Sequence, residues 1–289
     1  MKKGLKVIAS ILATIGCFGA FAACGGNGDG GSSSGGSSSG GGAPAPMTIT
    51  VGYTDYAPMN YEDENGTLVG FDTELAQKAF GELGYQVRFK VIAWNNKYAE
   101  LDGGTIDCIW NGFTANCADD DGVERSDKVD FSYYYMQNAQ CVIRKTSTTA
   151  LNTIEDLKGN QYTVAYEEGS AGDSYFAEAT KGWAATDVRG KGVTSQMDAV
   201  KEVNAGTAQF AIVDILLAQS LAGQGDYANL VIESNIEIPV EYYAVGFKKG
   251  SDLTAKINAK FKEYAESGYL MELAEKYGLE TKLLVDFDE

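Results

Sequence analysis

MTITVGYTDYAPMNYEDENGTLVGFDTELAQKAFGELGYQVRFKVI, residues 47–92, decides the fold. It opens with a β-rich run at 48–53. Asn65-Gly66, lying between Tyr61 and Leu68, is a hairpin-turn signal. Asp72 and Glu74 open a helix whose apolar residues Leu75, Ala76, Ala79, Phe80 and Leu83 follow a 3.6-residue period, and Gly84 stops it. A strand at 86–92, a short helix at 98–101 and a strand at 106–110 complete a β-α-β-α-β alternation. That alternation predicts an α/β fold, a parallel sheet covered by helices.

Working outward, 140–145 reads as a further strand and a second α/β series follows. Thr153 starts a short helix ending at Gly159. Strand 162–166, helix 174–180 and a short strand at 186–188 come next. Ser195, with Asp198 three residues on, resembles a capping box for a helix through Val203 to Gly206. Strand 209–213, helix 215–221 and strand 230–233 close the series. One strand at 242–248 and two helices, 253–267 and 270–277, come after it. They are expected to return to the first domain, so the chain would cross between domains near Ala139 and near Glu241. Two such crossings make a hinge over a cleft, a preferred place for a ligand.

Upstream, Lys2, Lys3 and Lys6 precede an uncharged apolar run at 7–23, and Ala22 and Ala23 precede Cys24. Residues 1–23 therefore read as an export signal, the run being at the short limit for a membrane span. The segment GGNGDGGSSSGGSSSGGGAPAP at 25–46 cannot bury apolar area and is expected to be a flexible tether. Its root-mean-square reach is about 25 Å. About 240 residues remain to fold, one large domain or two ordinary ones.

Composition excludes whole classes of chemistry. The 289 residues carry a formal charge of −17, and losing the leader takes it to about −20. Such a surface repels nucleic acid and anionic lipid. There is no histidine, which rules out Ser-His-Asp and Cys-His nucleophiles, His-ligated zinc and His acid–base work. No cofactor and no metal are expected. Asp119, Asp120 and Asp121 lack the spacing of a calcium loop and read as a solvated acidic loop. Cys108 lies in an apolar run and reads as a small core residue. Cys117 and Cys141 flank a loop-rich segment and are the candidate disulfide pair.

GYTDYAPMNYEDENGTLVGFDTELA, Trp94, IDCIWNGFT at 106–114, ERSDKVDFSYYY at 124–135, IEDLKGNQYTVAYEEGS at 154–170, QFAIVD at 209–214, EYYAVGFKKG at 241–250 and SGYLMELAEKYG at 267–278 occur in one order. Taken together they resemble the extracytoplasmic amino-acid-binding proteins of ABC importers, family 3 of the bacterial solute-binding proteins. The resemblance implies a two-lobed periplasmic-binding-protein fold of type II, with two parallel-type sheets flanked by helices and joined by two hinge strands. Lobe 1 would comprise 47–139 and 241–289, and lobe 2 140–240. It implies a free amino acid and the membrane subunits of an ABC permease as partners, in a monomer outside the cytoplasmic membrane. Phe21-Ala22-Ala23-Cys24 resembles a lipoprotein cleavage box, so residues 24–46 would be a lipidated Cys24 and its linker, anchoring the chain to the cell membrane.

A zwitterion needs a cation for its carboxylate and an anion for its ammonium. Arginine's planar fork suits the carboxylate. Arg125 matches the family arginine counted back from Phe131, although Glu124 and Asp127 could equally engage it in solvent. About six residues are inserted ahead of it, between Thr114 and Arg125, so the loop is expected to bulge outward. Asp214 ends strand 209–213 and matches the family aspartate for the ammonium; the plainer alternative is a helix N-cap. Gly169 and Ser170, at a helix start, could donate to the carboxylate, and Thr114 and the backbone around Gly112 would supply donors from the other side. Tyr56 and Trp94 match the positions that sandwich the ligand side chain, and Asp55, Asn111 and Glu167 are candidates for reading it. Acids there favour a polar or basic side chain. An enzyme on the same fold, similar to cyclohexadienyl dehydratase, would use Glu167 or Asp214 as its acid. A ligand-sensing domain usually continues into a membrane helix and a signalling module, and no such continuation is expected here.

Overall fold

A computed structural model describes residues 47–287. The export signal, Cys24 and the tether at 25–46 lie outside the described residues.

The deciding stretch forms β1 (Met47–Tyr53), a hairpin of β2 (Tyr61–Glu62) and β3 (Leu68–Val69), α1 (Phe71–Glu82) and β4 (Tyr85–Val91). Gly66 turns the hairpin at φ 74°, a conformation that costs glycine little. Leu75, Ala76, Ala79 and Phe80 are the buried stripe of α1, as their period requires. After α2 (Lys97–Asp102) comes β5 (Cys108–Ile109), shorter than the expected 106–110. Next stand α3 (Arg125–Lys128), β6 (Asp130–Phe131) and the long β7 (Met136–Lys145).

The second series is β8 (Tyr162–Glu167), α4 (Ala171–Ala179), β9 (Val188–Val193), α5 (Gln196–Ala205), β10 (Phe210–Asp214), α6 (Ile215–Leu221) and β11 (Leu230–Ile232). The run expected as one strand at 242–248 is two, β12 (Val240–Tyr243) and β13 (Gly246–Phe247), followed by α7 (Leu253–Glu266) and α8 (Tyr269–Tyr277).

Two large sheets result, ordered β4-β1-β5-β13-β6 and β11-β7-β10-β8-β9. Both are mixed rather than wholly parallel. The β-α-β units give parallel pairs, β1 with β4 and β5, and β8 with β9 and β10. Strand β7 pairs antiparallel with β10 and β11, and β13 antiparallel with β5. Late strand β13 lies inside the first sheet, between β5 and β6. Strand β7 belongs to the second sheet through β10 and β11, and at its start pairs with β12. That ladder sets Ala139 against Val240 and Asn138 against Glu241, so the two expected crossing points are neighbours.

Cys108, Cys117 and Cys141 are all free. The expected Cys117–Cys141 pair is not formed. Cys141 is a core residue of β7, facing Val213 of β10, whereas Cys117 opens the inserted loop and its carbonyl accepts from the Arg125 amide. Among the described residues, no helix is long and apolar enough to cross a membrane.

Candidate functional site

The carboxyl ends of strands from both sheets converge on one narrow cavity of about 10 Å³, room for roughly one water. Glu167 is the last residue of β8, Asp214 the last of β10, and Asn111 and Gly112 follow β5. Helix starts supply the rest: Arg125 opens α3, Ser170 caps α4 and Gln196 opens α5. Trp94, Thr114 and Ala171 complete the lining. This is the strand-end position that open α/β sheets use for ligands.

Arg125 is 1% exposed, and its guanidinium lies 5.2 Å over the Phe113 ring. Its Nε donates to Asp119 Oδ1 at 2.7 Å, Nη1 to the Thr114 carbonyl at 3.0 Å and Nη2 to the Gly169 carbonyl at 3.4 Å. The alternative partners Glu124 and Asp127 are not used. The inserted loop is exposed over residues 120–124, as an outward bulge requires, but Asp119 turns inward. Asp119 is 7% exposed, while Asp120 and Asp121 stay outside. Burial alone would raise the Asp119 carboxyl, but Arg125 and Lys97 outweigh it and hold it down to about 2. Among the described residues, no group of three or more acids and cysteines could hold a metal.

Asp214 stands at the N-cap position of α6, yet its side chain caps nothing. Oδ1 accepts from Asn138 Nδ2 at 2.9 Å and from Gln140, and Oδ2 accepts from Gln196 Nε2 at 2.6 Å. The same two amides of Asn138 and Gln140 also reach Glu241 Oε2, each at 3.0 Å, and the Thr114 hydroxyl donates to it at 3.0 Å. Two buried carboxylates thus share a set of amide donors. Burial raises both, Glu241 to about 7.

Glu167 is 2% exposed, and its Oε1 has no hydrogen-bond partner. Burial, then Asp214, push its carboxyl up to about 8, against smaller opposing effects of Lys97 and Thr54. An unpaired buried oxygen beside a cavity is costly unless something occupies that cavity.

Trp94, Asn111, Gly112, Thr114, Arg125, Glu167, Ser170 and Asp214 line the cavity. Asp55 does not. It is exposed, though partial burial raises its carboxyl. Tyr56 is buried outside the lining, its hydroxyl 2.6 Å from that of Tyr243. Gly169 lines a more open space beyond the cavity, with Lys97. The expected backbone donors are also engaged: Gly112 N–H donates to Asp72 Oδ2 at 2.7 Å and Gly169 N–H to Asp173 Oδ2 at 2.9 Å. Asn111 is held by Thr54 and by Asn60, its amide group donating to both.

Sequence reasoning missed Lys97, Gln196, Asn138, Gln140 and Glu241. Lys97 is 2% exposed, donates to the Gly169 carbonyl at 2.8 Å and lies over the rings of Trp94 and Tyr98. Its spacing three residues after Trp94, on one helical face, was the available signal. Asn138, Gln140 and Glu241 flank the expected crossing points, a position that itself marks them.

Comparison with known proteins agrees with this fold. The arginine-binding extracellular protein ArtP of Bacillus subtilis is 28% identical over 225 residues, covering 77% of this chain and 82% of that protein. The L-cystine-binding protein TcyA of the same organism is 26% identical over 282 residues, 96% and 97% of the two chains. An ancestral arginine-binding protein solved with arginine superposes with a TM-score of 0.70 at 28% identity, covering 80% of this chain and 97% of that one. The fold is the type II periplasmic-binding fold, two α/β sheets facing a shared site. The profile of the bacterial extracellular solute-binding proteins, family 3, matches residues 49–280, and this chain belongs to that family.

Proposed function

We propose that the protein captures a free amino acid outside the cell and hands it to an ABC permease. Lobe 1 (47–139 and 241–289) and lobe 2 (140–240) would close over it about the paired β7 and β12. A lipid on Cys24 and the 24–46 tether would hold the folded part near the membrane. The observation that carries this reading is a buried arginine and a buried aspartate lining one narrow cavity at the strand ends. A zwitterion supplies the charge that each of them needs.

Arg125 takes the carboxylate, with Ser170 beside it, and Asp214 takes the ammonium. Glu167 Oε1 accepts a donor from the ligand side chain, and Trp94 packs against it. Because the N–H groups of Gly112 and Gly169 are engaged within the protein, the carboxylate depends on Arg125 more heavily than the sequence implied. Glu167 favours a basic or polar side chain, and the arginine- and cystine-binding relatives lie within that class.

One observation favours a second reading. Glu167, raised to about 8, holds its proton at neutral pH and could act as a general acid in a dehydratase-like enzyme. Asp214 argues against it, because a dicarboxylate substrate has no ammonium for that group to meet.

A thermal-shift screen against the twenty amino acids, L-cystine and L-ornithine tests the proposal. One basic or polar ligand should stabilise by about 2.7 kcal/mol at a hundred times its Kd. No shift with any of them, together with turnover of prephenate, would replace the transport reading with the enzymatic one.

A further inference from the structure

The inserted segment ahead of Arg125 is a built part of the site. Ala118 bridges Glu124, Asp119 N–H donates to the Val123 carbonyl at 3.0 Å, and Arg125 N–H donates to the Cys117 carbonyl at 3.2 Å. This small turn carries Asp119 inward. Its Oδ1 takes the Arg125 Nε edge at 2.7 Å. Its Oδ2 accepts from the Tyr98 hydroxyl at 2.7 Å and from Lys128 Nζ at 2.8 Å. Asp119 therefore touches the back of the guanidinium and is itself fixed by two further elements. The Arg125 fork has five N–H donors. Nε is spent on Asp119 and one Nη1 bond on the Thr114 carbonyl, while Nη2 reaches the Gly169 carbonyl only at 3.4 Å.

We propose that Asp119 is the positioning residue of the carboxylate site: it clamps the Nε edge of Arg125 so that the remaining Nη N–H groups face the cavity in one fixed orientation. This rests on reading Arg125 as the carboxylate anchor. An arginine side chain otherwise loses much rotameric freedom on engaging a ligand, and a clamp set before binding removes that cost. Asp119 does not line the cavity, so it reaches a ligand carboxylate through Arg125 and not by its own contact.

Two measurements on the mature protein test this. In the unliganded protein, the side-chain Nε–H of Arg125, assigned by its disappearance in Arg125→Lys, should give a slowly exchanging NMR signal. Asp119→Ala should broaden it or return it to the free-arginine position. Calorimetry with L-arginine and with L-argininamide, which lacks the carboxylate, then separates positioning from general damage. Asp119→Ala should weaken L-arginine about tenfold or more and L-argininamide less than about twofold, with Asp119→Asn, which keeps an acceptor oxygen, in between. Equal weakening of both probes, or an unchanged Nε–H signal, overturns the proposal. If the wild type gives no heat with L-arginine, L-arginine is not the ligand, and the Nε–H measurement still decides the clamp.

Discussion

Carboxyls buried without a full countercharge make single residues of this site sensitive to pH. Burial raises Asp72 and Glu241 to about 7 and Glu167 to about 8. In the unfolded chain each would release its proton near pH 4. Between pH 4 and 7 the folded state therefore binds more protons than the unfolded one. Stability is then greatest below that window and falls as pH rises through it. Lys97, lowered to about 7 by burial and by Arg125, is charged in both states below about pH 6 and opposes the carboxyls only as pH nears 7. The unliganded protein should melt several degrees lower at pH 7 than at pH 5. Glu167→Gln should shrink that difference, because it removes one of these raised titrations. Scanning calorimetry at pH 5, 6 and 7 measures both, and a midpoint that does not move with pH would contradict the burial argument.

At the scale of elements, the turn after β5 is the most constrained piece of the site. Gly112 has φ +55°, and a Cβ there would lie 2.5 Å from Tyr56 Cε1 and 3.0 Å from Tyr243 Cε2. Its N–H meets Asp72, whose other oxygen accepts from the Tyr135 hydroxyl at 2.8 Å. Gly112→Ala should cost about 2–3 kcal/mol from strain and crowding together, read as a lower urea midpoint; a loss under about 0.5 kcal/mol would mean that the two tyrosines yield freely. Much of this level was legible in the sequence. Periodicity located α1, a capping signal located α5, and the strand-end rule located Glu167 and Asp214, because local spacing encodes all three. Strand length was not legible at β7, whose first residues pair with β12 about a hundred positions away. Nor was the inward turn of Asp119 legible, since three consecutive aspartates look alike until a buried guanidinium selects one. The engaged N–H groups of Gly112 and Gly169 were hidden for the same reason: their partners, Asp72 and Asp173, are fixed by packing. The Cys117–Cys141 expectation failed because flanking a loop in sequence does not set two side chains face to face.

For the whole molecule, bonds away from the β7–β12 ladder link segments on either side of the cavity, among them Asn95 to Glu168 at 3.0 Å, Lys97 to the Gly169 carbonyl at 2.8 Å, and Arg125 to the same carbonyl at 3.4 Å. Lys97 is the one whose worth is not obvious. Its bridge favours closure, but burying its ammonium beside Arg125 opposes closure, as the drop of its pKa to about 7 records. If the proposed lobes separate, Lys97 regains water and an ordinary value near 10.4. Between about pH 7 and pH 10 the closed state then binds fewer protons than the open one, so raising pH favours closure. The neighbouring carboxyls act in the other direction, but only up to about pH 8. Lys97→Met keeps the length of the side chain and its packing on Trp94 and Tyr98, and removes both the bridge and the charge. The two losses offset, so affinity at pH 7 should change by less than about tenfold. The dependence on pH above 8 should disappear. Small-angle scattering of the unliganded protein from pH 8 to pH 10 reads this directly. The wild type should contract as pH rises while Lys97→Met keeps one radius of gyration, and an identical contraction in both would show that Lys97 does not set the closing equilibrium.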